Sequence, residues 1–307
     1  MVKIDWEIFD KDVTEIDLSS CFISEMNWEG CPPNLIKIDF RNNLIGLMDW
    51  FCCPDSLRCI ILSSNNITQM DWDFCPPGLT EIYIEDNQIA YEMDMWEGCP
   101  PSLTKLHIGQ NEIAYMVWEG CPPGLIEIGL GHNAINKMNW EHCPVSLITI
   151  DLTGNYIENI HWSGCPTGLS VIYLIDNFIR EVDWKDCPTG LTKIELGQND
   201  ISQMNWEGCP PRLIELHLGH NEITDISFDG CRNDLITKIY PYEFYDSYLE
   251  YKKTKEFIAY LPTISKEKRD IHNELDSVWW KCPDGVLFKE DVQELTDSGY
   301  FSVTGLE

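Results

Sequence analysis

Apolar residues recur along this chain in two phases. One is an alternation such as Leu79, Ile82, Ile84 or Leu125, Ile128, Leu130, whose last two members lie two apart, as on one face of a short strand. The other comes later in each block: Met138 and Trp140 are two apart and point inward along an extended return, while Glu141 points out. Proline pairs such as Pro122-Pro123 remove backbone donors, so the return is expected to be extended or 3₁₀ rather than α-helical.

The pattern repeats. Cys31, Cys53, Cys75, Cys99, Cys121, Cys143, Cys165, Cys187, Cys209 and Cys231 are spaced by 22 residues, apart from one step of 24. The two extra residues fall between Ala90 and Asp94, where a surface bulge between rungs absorbs them. In phase run Trp6, Trp28, Trp50, Trp72, Trp96, Trp118, Trp140, Trp162, Trp184 and Trp206, with Phe228 at the end, and Asn43, Asn65, Asn87, Asn111, Asn133, Asn155, Asn177, Asn199 and Asn221. A period of this length means a solenoid. Stacked rungs join their strands into one parallel sheet, and ten rungs at about 4.8 Å each give a concave face roughly 45 Å along its arc. The Asn after each strand turns the chain and bonds backbone groups of the neighbouring rung. Cys21 takes its place in the first.

The unit CPPGLxxIxLxxNxIxxMxWxx resembles the leucine-rich repeat family, whose LxxLxLxxN hallmark is matched by Leu125, Ile128, Leu130 and Asn133 and by nearly every other rung. The CPPGL turn looks like the short repeats of secreted bacterial effectors. The period is similar to FNIP-type repeats of amoebae and large DNA viruses, although the Phe-Asn-x-Pro signature is absent. The resemblance implies an α/β-type repeat solenoid dominated by parallel β, a curved ribbon with few or no convex α-helices, closed by a small helical C-terminal cap. Residues 1–12 are expected to form an N-terminal half-repeat cap, 13–231 the solenoid of ten rungs, and 232–307 a mixed, mainly helical C-terminal cap or appendage, with helices near 243–260 and 266–279.

Charge narrows the function. With 51 acidic against 21 basic residues the chain carries a formal −30, so no nucleic acid and no membrane partner is expected, because both need clustered cations. Basic or metal-bearing partners stay open. Residues 231–307 hold 15 acidic and 10 basic side chains, so the acidity belongs mainly to the repeats, in part to an outer stripe of Glu29, Asp73, Glu97, Glu119, Glu141 and Glu207. Met1 to Asp12 carries four acidic residues and no apolar run, and does not read as a secretory signal. An intracellular, cytoplasmic setting is expected, host cytoplasm or virion included.

Both ladders have a packing and a chemical reading. The tryptophans are core rather than a carbohydrate or proline-peptide platform, since they keep phase with core positions. The cysteines are buried free thiols acting as small hydrophobes; a metal or redox array would need closed ligand sets such as CxxC, which are missing. Cys52 and Cys59 are the thiols expected to be exposed. Cys282 has no base beside it. No metal and no cofactor is expected, a metal between His217 and His220 being disfavoured against solvated histidines.

Alternation places partner-binding positions on the concave face, where the family's partners usually dock. The position between the last two apolar strand residues and the one before each Asn give two similar sets, Tyr83, Asp86, His107, Gln110, His132 and Tyr173, Asp176, Glu195, His217, His220. They echo each other four rungs apart, which reads as a duplicated block or as a bivalent site with aromatic anchors. The expected function is a non-enzymatic scaffold for a protein or peptide. The alternative is a structural or assembly component, for example of a large-virus particle, acting through the C-terminal segment and lateral surfaces.

Overall fold

The computed structural model describes residues 4–69, 71–90 and 96–223, together with the backbone of 239–240. The expected C-terminal helices, Cys231, Phe228, Cys282 and most of the 90–94 insertion lie outside the described residues. A single 3₁₀ turn, Trp6–Ile8, opens the structure, its first turn capped by Asp5. Eleven strands follow: β1 (Glu15–Asp17), β2 (Lys37–Asp39), β3 (Cys59–Ile61), β4 (Glu81–Tyr83), β5 (Lys105–His107), β6 (Glu127–Gly129), β7 (Thr149–Asp151), β8 (Val171–Tyr173), β9 (Lys193–Glu195), β10 (Glu215–His217) and β11 (Ile239–Tyr240). They form one parallel sheet in chain order, and no α-helix occurs among the described residues. β11 pairs with β10 through Leu216↔Ile239, so the sheet runs into the segment expected to be the C-terminal appendage.

Register is exact from rung to rung. Ile16, Ile38, Ile60, Ile82, Leu106, Ile128, Ile150, Ile172, Ile194 and Leu216 are partners across successive strands and are all buried. The flanking positions of each repeat, such as Leu125 and Leu130, are wholly enclosed. A one-residue slip would turn this column outward, which is why a strand of three residues keeps its register.

The tryptophans are core, and the reason is more specific than bulk. Each is at most 5% exposed. Most send the indole N–H forward to a main-chain carbonyl in the next rung: Trp28 to Asp49 at 2.6 Å, Trp118 to Asn139 at 2.6 Å, Trp140 to His161 at 2.7 Å. Neighbouring rings stack, Trp28 on Trp50 at 6.5 Å and Trp118 on Trp140 at 6.4 Å. An indole both fills the rung and satisfies a carbonyl that the short return would otherwise leave buried, which a phenyl ring cannot do.

Asparagine performs the same service on the strand side. Asn133 accepts the Ile113 N–H at 3.0 Å and donates to the carbonyls of Ile108 and Leu130 at 3.1 and 3.0 Å. The set repeats at every Asn from Asn43 to Asn221. Asn reaches both kinds of backbone group because its amide carries an acceptor and two donor hydrogens; Asp or Leu would strand one kind.

Turn chemistry fixes the two corners. After each Trp the chain reverses so that the Cys N–H bonds the Trp carbonyl, Cys121 to Trp118 at 2.9 Å, and the residue before the Cys is left-handed: Gly30, Gly98, Gly120, Gly164 and Gly208 have φ of 78–89°. Cys52, Phe74, His142 and Asp186 adopt the same conformation without being glycine. The second left-handed corner, just before each Asn, is occupied by Ser20, Asn42, Ser64, Asp86, Gln110, His132, Gly154, Asp176, Gln198 and His220.

Candidate functional site

The sheet's open face is built from two columns of outward side chains, one on either side of the buried central residue of each strand. The sequence pattern singled out the column after it: Tyr83, His107, Tyr173, Glu195 and His217. The column before it, Glu81, Lys105, Glu127, Lys193 and Glu215, is equally directed to this face and shares in the pairing. The signal for it was already present, since the period of two applies on both sides of the central Ile or Leu.

Around β4 to β6 the columns interlock. Tyr83 donates its hydroxyl to Glu81 at 3.1 Å, and its ring lies 5.0 Å from that of His107. The imidazole of His107 sits between Glu127, 2.8 Å from Nε2, and Glu85, 3.6 Å from Nδ1, and Lys105 Nζ is 2.9 Å from Glu127. Burial alone would raise the Glu127 carboxyl; the hydrogen bonds of Lys105 and His107 outweigh it and hold Glu127 below the ordinary carboxylate value. Burial and the nearby Glu81 push the Tyr83 phenol up, so it stays a neutral donor. Gly129 keeps space open here, as a Cβ would come within 3.1 Å of His107 Nδ1.

A second group occupies β8 to β10. Lys193 lies over the Tyr173 ring at 5.4 Å and reaches Glu195 at 2.9 Å and Glu215 at 3.5 Å. His217 Nδ1 is 3.2 Å from Glu195. The hydrogen bond to Glu195 is the main cause that raises the Lys193 ammonium above its usual value, which keeps it charged. Glu195 is only 8% exposed, so it acts beneath this surface by holding Lys193 and His217 rather than as a contact in its own right.

The remaining expected positions fall elsewhere. Asp86, Gln110, His132, Asp176 and His220 are exposed, but all five are left-handed corner residues at φ of 51–57° at the rim of the face. Asn, Asp and His tolerate that conformation better than most side chains, so the composition of this set has a conformational cause beside any contact role. Among the described residues no group of three or more His, Cys, Asp or Glu is placed to hold a metal ion.

The thiol ladder is half-buried rather than enclosed, its members packing against the edge of the core. Burial pushes the thiols of Cys31, Cys75, Cys121 and Cys165 up to about 12. Cys52 is exposed as expected; Cys59 is half-buried, and Cys21, which the pattern did not mark, is the other exposed thiol among the described residues.

No protein-family model matches the chain, and no curated protein matches it. Solved structures do. The leucine-rich repeat domain of APL1B is similar over 70% of this chain and 78% of its own length, at 17% identity and a TM-score of 0.52. The crystallised complex of TLR13 with ssRNA13 contains a chain similar over 73% of this one at 20% identity and a TM-score of 0.57. The present chain spans 35% of that longer one. At these identities the likeness is one of fold, and the fold is that of a leucine-rich-repeat solenoid.

Proposed function

We propose that this chain, which has the leucine-rich-repeat fold, is a non-enzymatic scaffold that binds a protein partner on its concave face. The observation that carries the reading is the pair of organised side-chain groups there, Tyr83 with Lys105, His107 and Glu127, and Tyr173 with Lys193, Glu195 and His217. Asp86, Gln110, His132, Asp176 and His220 form the rim a partner would meet first. Side chains that hold one another in place lose little freedom on binding, so contacts made to them are retained as affinity. None of the twelve described cysteines is joined in a disulfide, which supports a reducing, intracellular setting. Among the described residues no helix is long and apolar enough to cross a membrane.

A second reading is favoured by aromatic pairs away from this face. Phe51 and Phe74 meet edge to face at 6.0 Å, and Tyr156 stacks on Phe178 at 5.9 Å, all four exposed. Such pairs suit lateral assembly into a larger structure, a virus particle being one example. Native mass by light scattering, alone and after exposure to host lysate, separates the two. A monomer that captures one protein and releases it when Tyr83 and Tyr173 become Ala supports the scaffold. Concentration-dependent assembly indifferent to those changes supports the architectural role.

A further inference from the structure

We propose that the concave face carries two copies of one cation-receiving site, four rungs apart, and that its occupant is an extended polypeptide segment presenting two arginines or lysines. This deepens the scaffold reading above and rests on it. The two groups share a construction. Ring, ammonium and carboxylate fall on three successive strands: Tyr83 on β4, Lys105 on β5 and Glu127 on β6, then Tyr173 on β8, Lys193 on β9 and Glu215 on β10. In each group the lysine and glutamate pair across adjacent strands, at 2.9 Å and 3.5 Å. The duplication therefore extends to side chains that the outward column of tyrosines and histidines does not include.

The second group displays the chemistry it would use. Lys193 lies over the Tyr173 ring between two carboxylates, which is the geometry an incoming cation would adopt on displacing this ammonium from the ring. In the first group the basic ring of His107 takes the equivalent place beside Tyr83, between Glu85 and Glu127. Carboxylates outnumber ammonium groups in the first group, Glu81, Glu85 and Glu127 against Lys105; in the second, Glu215 faces Lys193 while Glu195 lies beneath the surface. Asp86 and Asp176 add one negative charge to the rim of each. The face is complementary to cations at two points. A guanidinium fits best, since it stacks flat on tyrosine and bonds a carboxylate with two parallel N–H groups.

Geometry sets the spacing. Four strand steps at about 4.8 Å separate the sites by about 19 Å. A chain crossing the strands covers that in about six residues at ~3.3 Å each. The strand positions between the sites, Gly129, Thr149 and Asp151, are short and leave the path low.

The test titrates the full chain with two fluorescent Gly/Ser-based peptides, one carrying two arginines six residues apart, the other a single arginine. Binding both sites at once should make the first on the order of 100-fold tighter. Tyr83→Ala or Tyr173→Ala should each bring it down to the single-arginine level, whereas Tyr173→Phe, which keeps the ring, should retain most of the gain. Unchanged circular dichroism and melting of each variant would show that the fold is intact. Equal affinity of the two peptides would overturn the paired site while leaving a concave binding surface standing. Failure of both peptides to exceed a glutamate-containing control would overturn the cationic occupant, and the fate of the scaffold reading would then follow from the lysate capture described above.

Discussion

A single backbone angle decides what several positions tolerate. At the corner after each Trp, Gly120 has φ of 81°, and a Cβ there would lie 3.4 Å from that of Trp96. Gly120→Ala is therefore expected to destabilise by about 1–2 kcal/mol in urea unfolding. Phe74 occupies the equivalent corner at φ of 66° while 76% exposed, so Phe74→Gly should stabilise by ~0.5–1 kcal/mol, strain relief exceeding the added chain entropy of glycine. Thiols separate by burial. Iodoacetamide at mildly alkaline pH should label Cys21 and Cys52 well before Cys75 or Cys121, as read by peptide mass spectrometry, because only the thiolate reacts. The same burial gives a pH dependence with a definite sign. A ladder thiol is held up to about 12 in the fold against an ordinary 9.0, so its contribution is fully present below pH 9.0 and is lost as pH rises towards the folded value. Melting temperature should fall progressively above pH 9.0, and substituting ladder cysteines by Ala should flatten that fall.

At the scale of one rung, stability comes from bonds made to the rung before and the rung after. Asn133→Ala removes the acceptor for Ile113 N–H and the donors to Ile108 and Leu130, all buried. The expected loss is about 3 kcal/mol, measured by urea titration, with hydrogen exchange accelerated around β5 and β6 rather than throughout. These ladders were legible in the sequence because core positions in a solenoid are under one repeated constraint: the Leu, Ile, Trp and Asn columns appear as strict phases. The corners were less legible, since a left-handed residue leaves no mark on the hydrophobic period. Its traces are the recurrent glycine two after Trp, and the Ser, Asn, Asp, Gln, Gly and His set before each Asn. Half of the expected contact residues belong to that second set. The pairing of Lys105 with Glu127 and of Lys193 with Glu215 was hidden for another reason. It links residues 22 apart in sequence, and a pattern read within one repeat does not show it.

Across the whole molecule the rungs also bring like charges together at several positions. Asp17 pairs in register with Asp39, and the exposed Glu97, Glu119 and Glu141 occupy one position of three successive repeats. With a formal −30 this repulsion opposes the compact state, so melting temperature should rise with added sodium chloride up to about 0.5 M, most steeply at the low end where screening changes fastest. A melt indifferent to salt would mean that the stripe is already neutralised. The tryptophan bonds carry a mechanical consequence as well. Each runs from one rung to the next, parallel to the direction in which the strands are stacked, so tension applied between the two ends would load every inter-rung bond in series. Such a chain has no single breaking point. It would extend stepwise, each released rung adding on the order of 70 Å of contour from its 22 residues, and would take up slack again in the same increments when the load fell.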